Sequence, residues 1–269
     1  MTPLALETRT IDELVIEDER SFRHVGLYAD LKEVLRRDRY RVRVLPSSLA
    51  GRWDRALFLN LTYWGAGEGG DVLDGDQIPA DVVAHAAWHH LAARALAPAG
   101  GGSLSADALF LGEAIASAFD VYLVGRLLGH APESSFLETQ VPAMAEAAEG
   151  AGLSDAEFEA LLAGIARDPE AAFEDLRALL VDATRALVAC EGADDALRAL
   201  APFDARRFGP LLHRYEISNW VLYARAYAGG ALAPDAQVRE IDRALREEGT
   251  VAIDWLAEKW VAPALATKE

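Results

Sequence analysis

Residues 82–96, VVAHAAWHHLAARAL, hold three of the chain's six histidines within one apolar run. The run follows Pro79, which a first helical turn tolerates, and it gives way to the flexible stretch APAGGG at 97–102. It therefore reads as one helix. Residues four apart share a helix face, so His85 and His89 turn two imidazoles to one spot, while His90 is rotated by about 100°. That arrangement suits zinc, which takes imidazole nitrogens and carboxylate oxygens and needs at least one further ligand here. The next apolar segment supplies a candidate in GEAIASAFD (112–120): Glu113, with Asp120 about two turns further along the same face. An aspartate so placed can hold a ligand histidine through its other ring nitrogen.

Outward from this pair of segments, 269 residues at 52% hydrophobic content suffice for a sizeable core. Residues 1–22 read as a short strand or extended arm, with helix only after Thr10. HVGLYADLKEVLRRD (24–38) places Val25, Leu27, Leu31, Val34 and Leu35 near a helical period and ends in basic residues, as helix C-termini prefer. RYRVRVLP (39–46) alternates Tyr40, Val42 and Val44 with arginines, which is strand periodicity, and RALFLNLTYW (55–64) reads as a second strand. GAGEGGDVLDGDQIPA (65–80) is loop, with a brief strand at Val72 and Leu73. The segment 105–129 reads as a second long apolar helix capped by Ser105. From Pro132 onward only helical periodicity remains, over 136–149, 154–166, 169–191, 193–200, 206–228, 234–247 and 250–261, with Ser154 and Glu157 forming a capping box. The expected class is α+β and mostly helical, one domain with a small α/β lobe over residues 1–130 and an all-helical lobe over 131–269.

Acidic residues outnumber basic ones by 43 to 26, and the formal charge of −17 would repel phosphate backbones and anionic lipid. Neither nucleic acid nor a membrane surface is an expected partner. No uninterrupted apolar run reaches the roughly 18 residues that span a bilayer. The single cysteine, Cys190, excludes an internal disulfide, and the first thirty residues lack the basic start and apolar core of a secretory signal. A cytoplasmic protein is expected. Asp71, Asp74 and Asp76 lack the spacing and closing glutamate of a calcium loop and read as a solvated turn.

HAAWH (85–89), followed by GEAIASAFD and preceded by a strand and a glycine-rich loop, resembles the active-site region of zincin metallopeptidases of the gluzincin branch over about residues 56–124. In that family two histidines of an HExxH helix and a glutamate from the following helix bind zinc, and the HExxH glutamate activates water. The resemblance implies zinc on His85, His89 and Glu113, with Asp120 as the supporting acid, and thus a zincin-like α/β lobe. Ala86 stands in the position of the HExxH glutamate. A methyl group moves no proton, and that role is worth roughly 10²–10⁴ in rate. The resemblance also implies a strand edge that pairs with an extended peptide, here offering Leu57, Leu59, Leu61, Tyr63 and Trp64.

Three readings follow. The first is a catalytically degenerate metallopeptidase-like protein that binds a peptide or extended protein segment, for instance a precursor peptide for modifying enzymes in a bacterial setting. The charge of −17 would favour a basic peptide. The second is a working zinc hydrolase in which Glu216 or His90 replaces the lost base. The third is a metal-free structural or interaction protein in which the two histidines are ordinary helix residues. The later segment LLHRYEISNWVLYARAY (211–227) offers His213, Tyr215, Tyr223 and Tyr227, and zincins bring a His or Tyr from a later helix to the oxyanion. Burial habits favour an aromatic core helix there instead.

Overall fold

Alternation builds the first sheet: in the strand Arg41–Val44 the two valines are buried while Arg41 faces solvent. We describe the chain from a computed structural model that covers residues 6–49, 72–98, 100–227 and 232–266. Numbered in chain order, the strands are β1 (Glu7–Thr10), β2 (Val15–Glu17), β3 (Arg41–Val44), β4 (Val72–Leu73) and β5 (Gln77–Pro79). β3 is the centre of a three-stranded sheet, antiparallel to β1 with Glu7 opposite Val44, and parallel to β4 with Val44 opposite Leu73. β2 and β5 pair in parallel, Ile16 opposite Ile78. The arm at the N-terminus is thus two short strands joined by a 3₁₀ turn at Ile11–Glu13, closed where the Glu13 carboxylate accepts from the Thr10 amide at 2.7 Å. The strand expected at 55–64 lies outside the described residues.

Helices fill the remainder: α1 (Gly26–Arg37), α2 (Ala80–Ala95), α3 (Ala106–Leu128), α4 (Ser135–Gly150), α5 (Asp155–Arg167), α6 (Pro169–Val188), α7 (Ala193–Leu200), α8 (Ile217–Tyr227), α9 (Ala236–Leu245), α10 (Ala252–Leu256) and α11 (Ala262–Ala266). Among the described residues every strand precedes residue 80, so the chain is α+β and mostly helical, as its periodicity predicts. The predicted caps form: the Ser105 hydroxyl accepts from Ala108 N at 3.2 Å, and Ser154 with Glu157 makes a reciprocal box. α3 is apolar on all sides, and by length and composition it could cross a membrane. Its most apolar stretch is 83% buried, which makes it the central helix of the bundle, packed most extensively on α6.

One expected helix is broken. The stretch 206–228 forms a 3₁₀ helix over Gly209–Tyr215 and then α8, with Glu216 between them in the left-handed region at φ +47°. Pro210 disfavours helix before it, and Gly209 lies so close to the backbone that a Cβ there would meet the Phe203 carbonyl oxygen at 2.4 Å. The chain's end returns to its beginning. A π-helical turn at Ala257–Val261 and α11 pack on α1, where Arg37 donates to the Leu265 carbonyl. Buried apolar side chains form one continuous cluster from Ile11 to Ala264.

Inside the helical part lies a charged network joining α3, α6 and α9. Asp242 accepts from Arg177 at 2.7 Å, Arg185 at 2.5 Å and Arg246 at 2.9 Å, and Arg177 has no solvent exposure at all. Asp107, at the start of α3, accepts from Arg185 at 2.9 Å, Arg239 at 2.8 Å and the Asp235 amide at 2.9 Å. Burial alone would raise the Asp242 carboxyl, but Arg177 and Arg246 outweigh it and hold the group down at about 2. A carboxylate depressed in the folded state adds stability above its unfolded value, and that stability is lost as pH falls through the folded one. The contribution, about 2 kcal/mol, should disappear between about pH 4 and pH 2. Asp242→Ala should cost about 3 kcal/mol in urea unfolding at pH 7, since it removes the carboxylate that Arg177, Arg185 and Arg246 share and leaves buried Arg177 with Glu174 alone, and should flatten the acid limb of the stability profile. An unchanged acid limb would show that the network is not what fails in acid.

Candidate metal centre

The histidine helix is placed from both ends. β5 runs directly into α2, whose N-terminal boundary is Pro79, and β2 fixes β5. α2 buries Val83, Ala84, Ala87, Trp88 and Leu91 and leaves His85 and His89 about one-third exposed. Fully buried Trp88 packs edge-on against Phe119 of α3, with ring centroids 5.5 Å apart, which fixes the rotation of one helix against the other.

α3 runs antiparallel to α2. At Gly112 a Cβ would come within 3.3 Å of the Ala92 Cβ, so the helices approach about as closely as side chains permit. From that contact the ladder continues to His89 opposite Glu113, with Nε2 and Oε2 3.7 Å apart, and to His85 opposite Asp120, with Nδ1 and Oδ2 3.4 Å apart. Two spacings, four residues on α2 and seven on α3, thus match along one seam.

His85, His89 and Glu113 can hold a metal ion: one donor atom from each lies within 4.8 Å of the others. The two imidazole centroids are 4.9 Å apart. Ligands of a tetrahedral zinc at 2.0–2.2 Å sit roughly 3.4 Å from one another, so the donors need to draw in by about an ångström. Asp120 Oδ2 faces His85 Nδ1, which leaves Nε2 as the nitrogen that can face a metal. Among the described residues no arginine forms an ion pair with Glu113 or Asp120. Arg94 binds Asp38, and Arg126 binds Glu170 and the Tyr122 hydroxyl.

His90 stands apart. Its Nε2 lies 2.6 Å from Asp38 Oδ2, so it ties α2 to the end of α1 and has no place in the metal group. Ala86 is 1% exposed, and its methyl group is part of the core. Asp81, one turn before His85, has its carboxyl pushed up to about 6 by burial and by the neighbouring Asp120.

A cavity of about 360 Å³ opens beside the two helices. α2 gives it His85, α3 gives Glu113, Ser117 and Asp120, and α4 gives Gln140. The broken helix supplies the opposite wall: Arg214, Tyr215, Glu216, Asn219 and Trp220. Arg214 donates to Gln140 Oε1, and Asn219 Nδ2 donates to Glu216 Oε2 at 2.7 Å. Burial holds the Tyr215 hydroxyl well above its ordinary value against the pull of Arg214, with Asp120 adding to the rise, so it remains a neutral phenol. Of the aromatic segment's candidates, Tyr215 and Glu216 reach the cavity, while His213 is exposed and does not line it. No pattern in the sequence places Arg214, Gln140 and Asn219 there. The strand residues Leu57, Leu59, Leu61, Tyr63 and Trp64 lie outside the described residues, as does Asp71. Cys190 donates to the Ala186 carbonyl at 3.3 Å.

Comparison with protein-family models, curated proteins and solved structures found no match.

The burial of Ala86 makes a direct prediction. Ala86→Glu must overpack the core and bury a carboxylate, and it should lower stability by about 3 kcal/mol. The loss should be smaller at pH 5 than at pH 8, because a buried carboxyl has a raised pKa and its neutral form is tolerated. Thermal midpoints at the two pH values measure this, and an equal loss at both would mean that the new side chain reaches water.

Proposed function

We propose that the chain is a degenerate, zincin-like metal protein that holds one zinc ion on His85, His89 and Glu113 and binds a peptide or extended segment beside it without cutting it. The observation that carries the reading is the convergence of the three donors within 4.8 Å with Asp120 on the far nitrogen of His85. Zinc is favoured over calcium or magnesium because two of the donors are imidazoles. When bound, the metal supplies a Lewis-acidic point on which a carbonyl or carboxylate oxygen can rest. Asp120 orients His85, and the α2–α3 seam keeps Glu113 on the same side of the site. The burial of Ala86 supports binding without cleavage, since a methyl group in the core provides no base.

The test is metal analysis with calorimetry. One zinc per chain is expected, with stoichiometric binding lost in His89→Ala. Asp120→Asn should keep the stoichiometry and weaken affinity roughly 10- to 100-fold. Absence of zinc from purified and zinc-dialysed protein would leave the metal-free interaction protein as the reading.

One observation favours a second reading, a zinc hydrolase. Glu216 lies on the cavity wall in left-handed backbone, which non-glycine residues rarely adopt, and Asn219 steadies its carboxylate. In this reading Glu216 takes the proton that no group at position 86 can take. Peptide cleavage by the zinc-loaded protein, lost in Glu216→Gln with zinc binding retained, would establish it. No turnover above background would leave the binding protein.

A further inference from the structure

Most half-buried or buried arginines in the bundle have carboxylate partners: Arg177 and Arg185 share Asp242, Arg206 pairs with Asp182, and Arg246 with both. Arg214 differs. It is half-buried on the cavity wall, it donates to the neutral Gln140, and it is hydrogen-bonded to the neutral Tyr215. Among the described residues no carboxylate lies within ion-pair distance of it, and Glu216, two positions on, is held by Asn219 instead. A planar, half-buried guanidinium kept in place by side-chain amide and phenol groups is arranged to take a carboxylate from outside.

The charge of the cavity sets a condition on that role. Glu113, Asp120 and Glu216 put three carboxylates on its walls against the single guanidinium. An anion entering this field is repelled. A divalent ion on His85, His89 and Glu113 brings the formal charge of the walls to neutrality, and Arg214 then remains as the group that attracts a second anion.

We infer that, once the proposed metal is bound, this cavity takes a ligand that ends in a carboxylate, with Arg214 clasping the carboxylate and the metal receiving an oxygen from the rest of the ligand. The inference rests on the metal reading above and adds the ligand class. A volume of about 360 Å³ suits a small carboxylic acid or the last one or two residues of a peptide, with the amides of Gln140 and Asn219 to meet main-chain groups and Trp220 to meet a side chain. A peptide that enters here is therefore read by its free C-terminus.

Calorimetry on the full chain tests this with three probes: acetyl-Ala-Phe with a free carboxylate, its C-terminal amide, and succinate. In zinc-loaded protein, acetyl-Ala-Phe should bind roughly 10- to 100-fold more tightly than its amide, the difference a charge-assisted hydrogen-bonded pair makes. Metal-free protein should bind none of the three measurably. Arg214→Gln should abolish the preference for acid over amide, and Arg214→Lys should retain part of it. Either variant can be compared with wild type at equal zinc occupancy, so misfolding is detected separately. Tighter binding of succinate than of the peptide identifies a free acid as the ligand and still places its carboxylate on Arg214, provided Arg214→Gln removes it. Stoichiometric zinc with equal binding of acid and amide, or with no probe bound, overturns the inference while the metal site stands. Failure to bind zinc overturns both.

Discussion

The close antiparallel approach of α2 and α3 is the constraint on which the site depends. A Cβ at Gly112 would lie 3.3 Å from the Ala92 Cβ, so the helices are in tight contact beside Glu113 and about a turn from His89. Imidazole and carboxylate side chains reach only a few ångströms from their backbones, so a close approach of the two helices is what lets their donors face one point. Trp88 against Phe119 adds the rotational constraint. Small residues on the seam therefore act through geometry: they touch no ligand, yet they determine whether the donors converge.

Around that seam the structure separates two ways of holding helices together. Near the site, α2 and α3 meet through apolar and small residues. At the start of α3, beside its apolar packing on α6, a charged network through Asp107, Arg185 and Asp242 adds α9, and in it each carboxylate accepts from three donors. A charged network of this kind is directional, so it fixes the register of α6 and α9 against α3, whereas apolar packing tolerates sliding. The long central helix is thus anchored by charge at its start and by shape further along.

Much of this was legible in the sequence because it is local. Helix periodicity, the Ser105 and Ser154 caps, and the four- and seven-residue spacings of His85, His89, Glu113 and Asp120 are properties of segments, and each survives folding unchanged. What was not legible depends on contacts between distant segments. Gln140 carries no pattern that would place it near Arg214. The helix at 206–228 was expected to be continuous because its apolar period continues through the break. The 3₁₀ helix begins where Gly209 is pressed against the Phe203–Asp204 backbone, a contact between neighbouring turns that a periodicity reading passes over, and ends at the left-handed Glu216. His90 illustrates the same limit. Its rotation away from the pair follows from helix geometry, but its partner Asp38 stands 52 positions earlier in the chain.

The burial of Ala86 has an evolutionary side. Any carboxylate arising at that position would weaken folding before it could contribute to chemistry, and selection would act against it. A base at that position requires the surrounding side chains to shrink first. Position 86 is held small by the protein's need to fold, so new chemistry at this centre has an easier route through the exposed wall of the cavity than through the helix that carries the histidines.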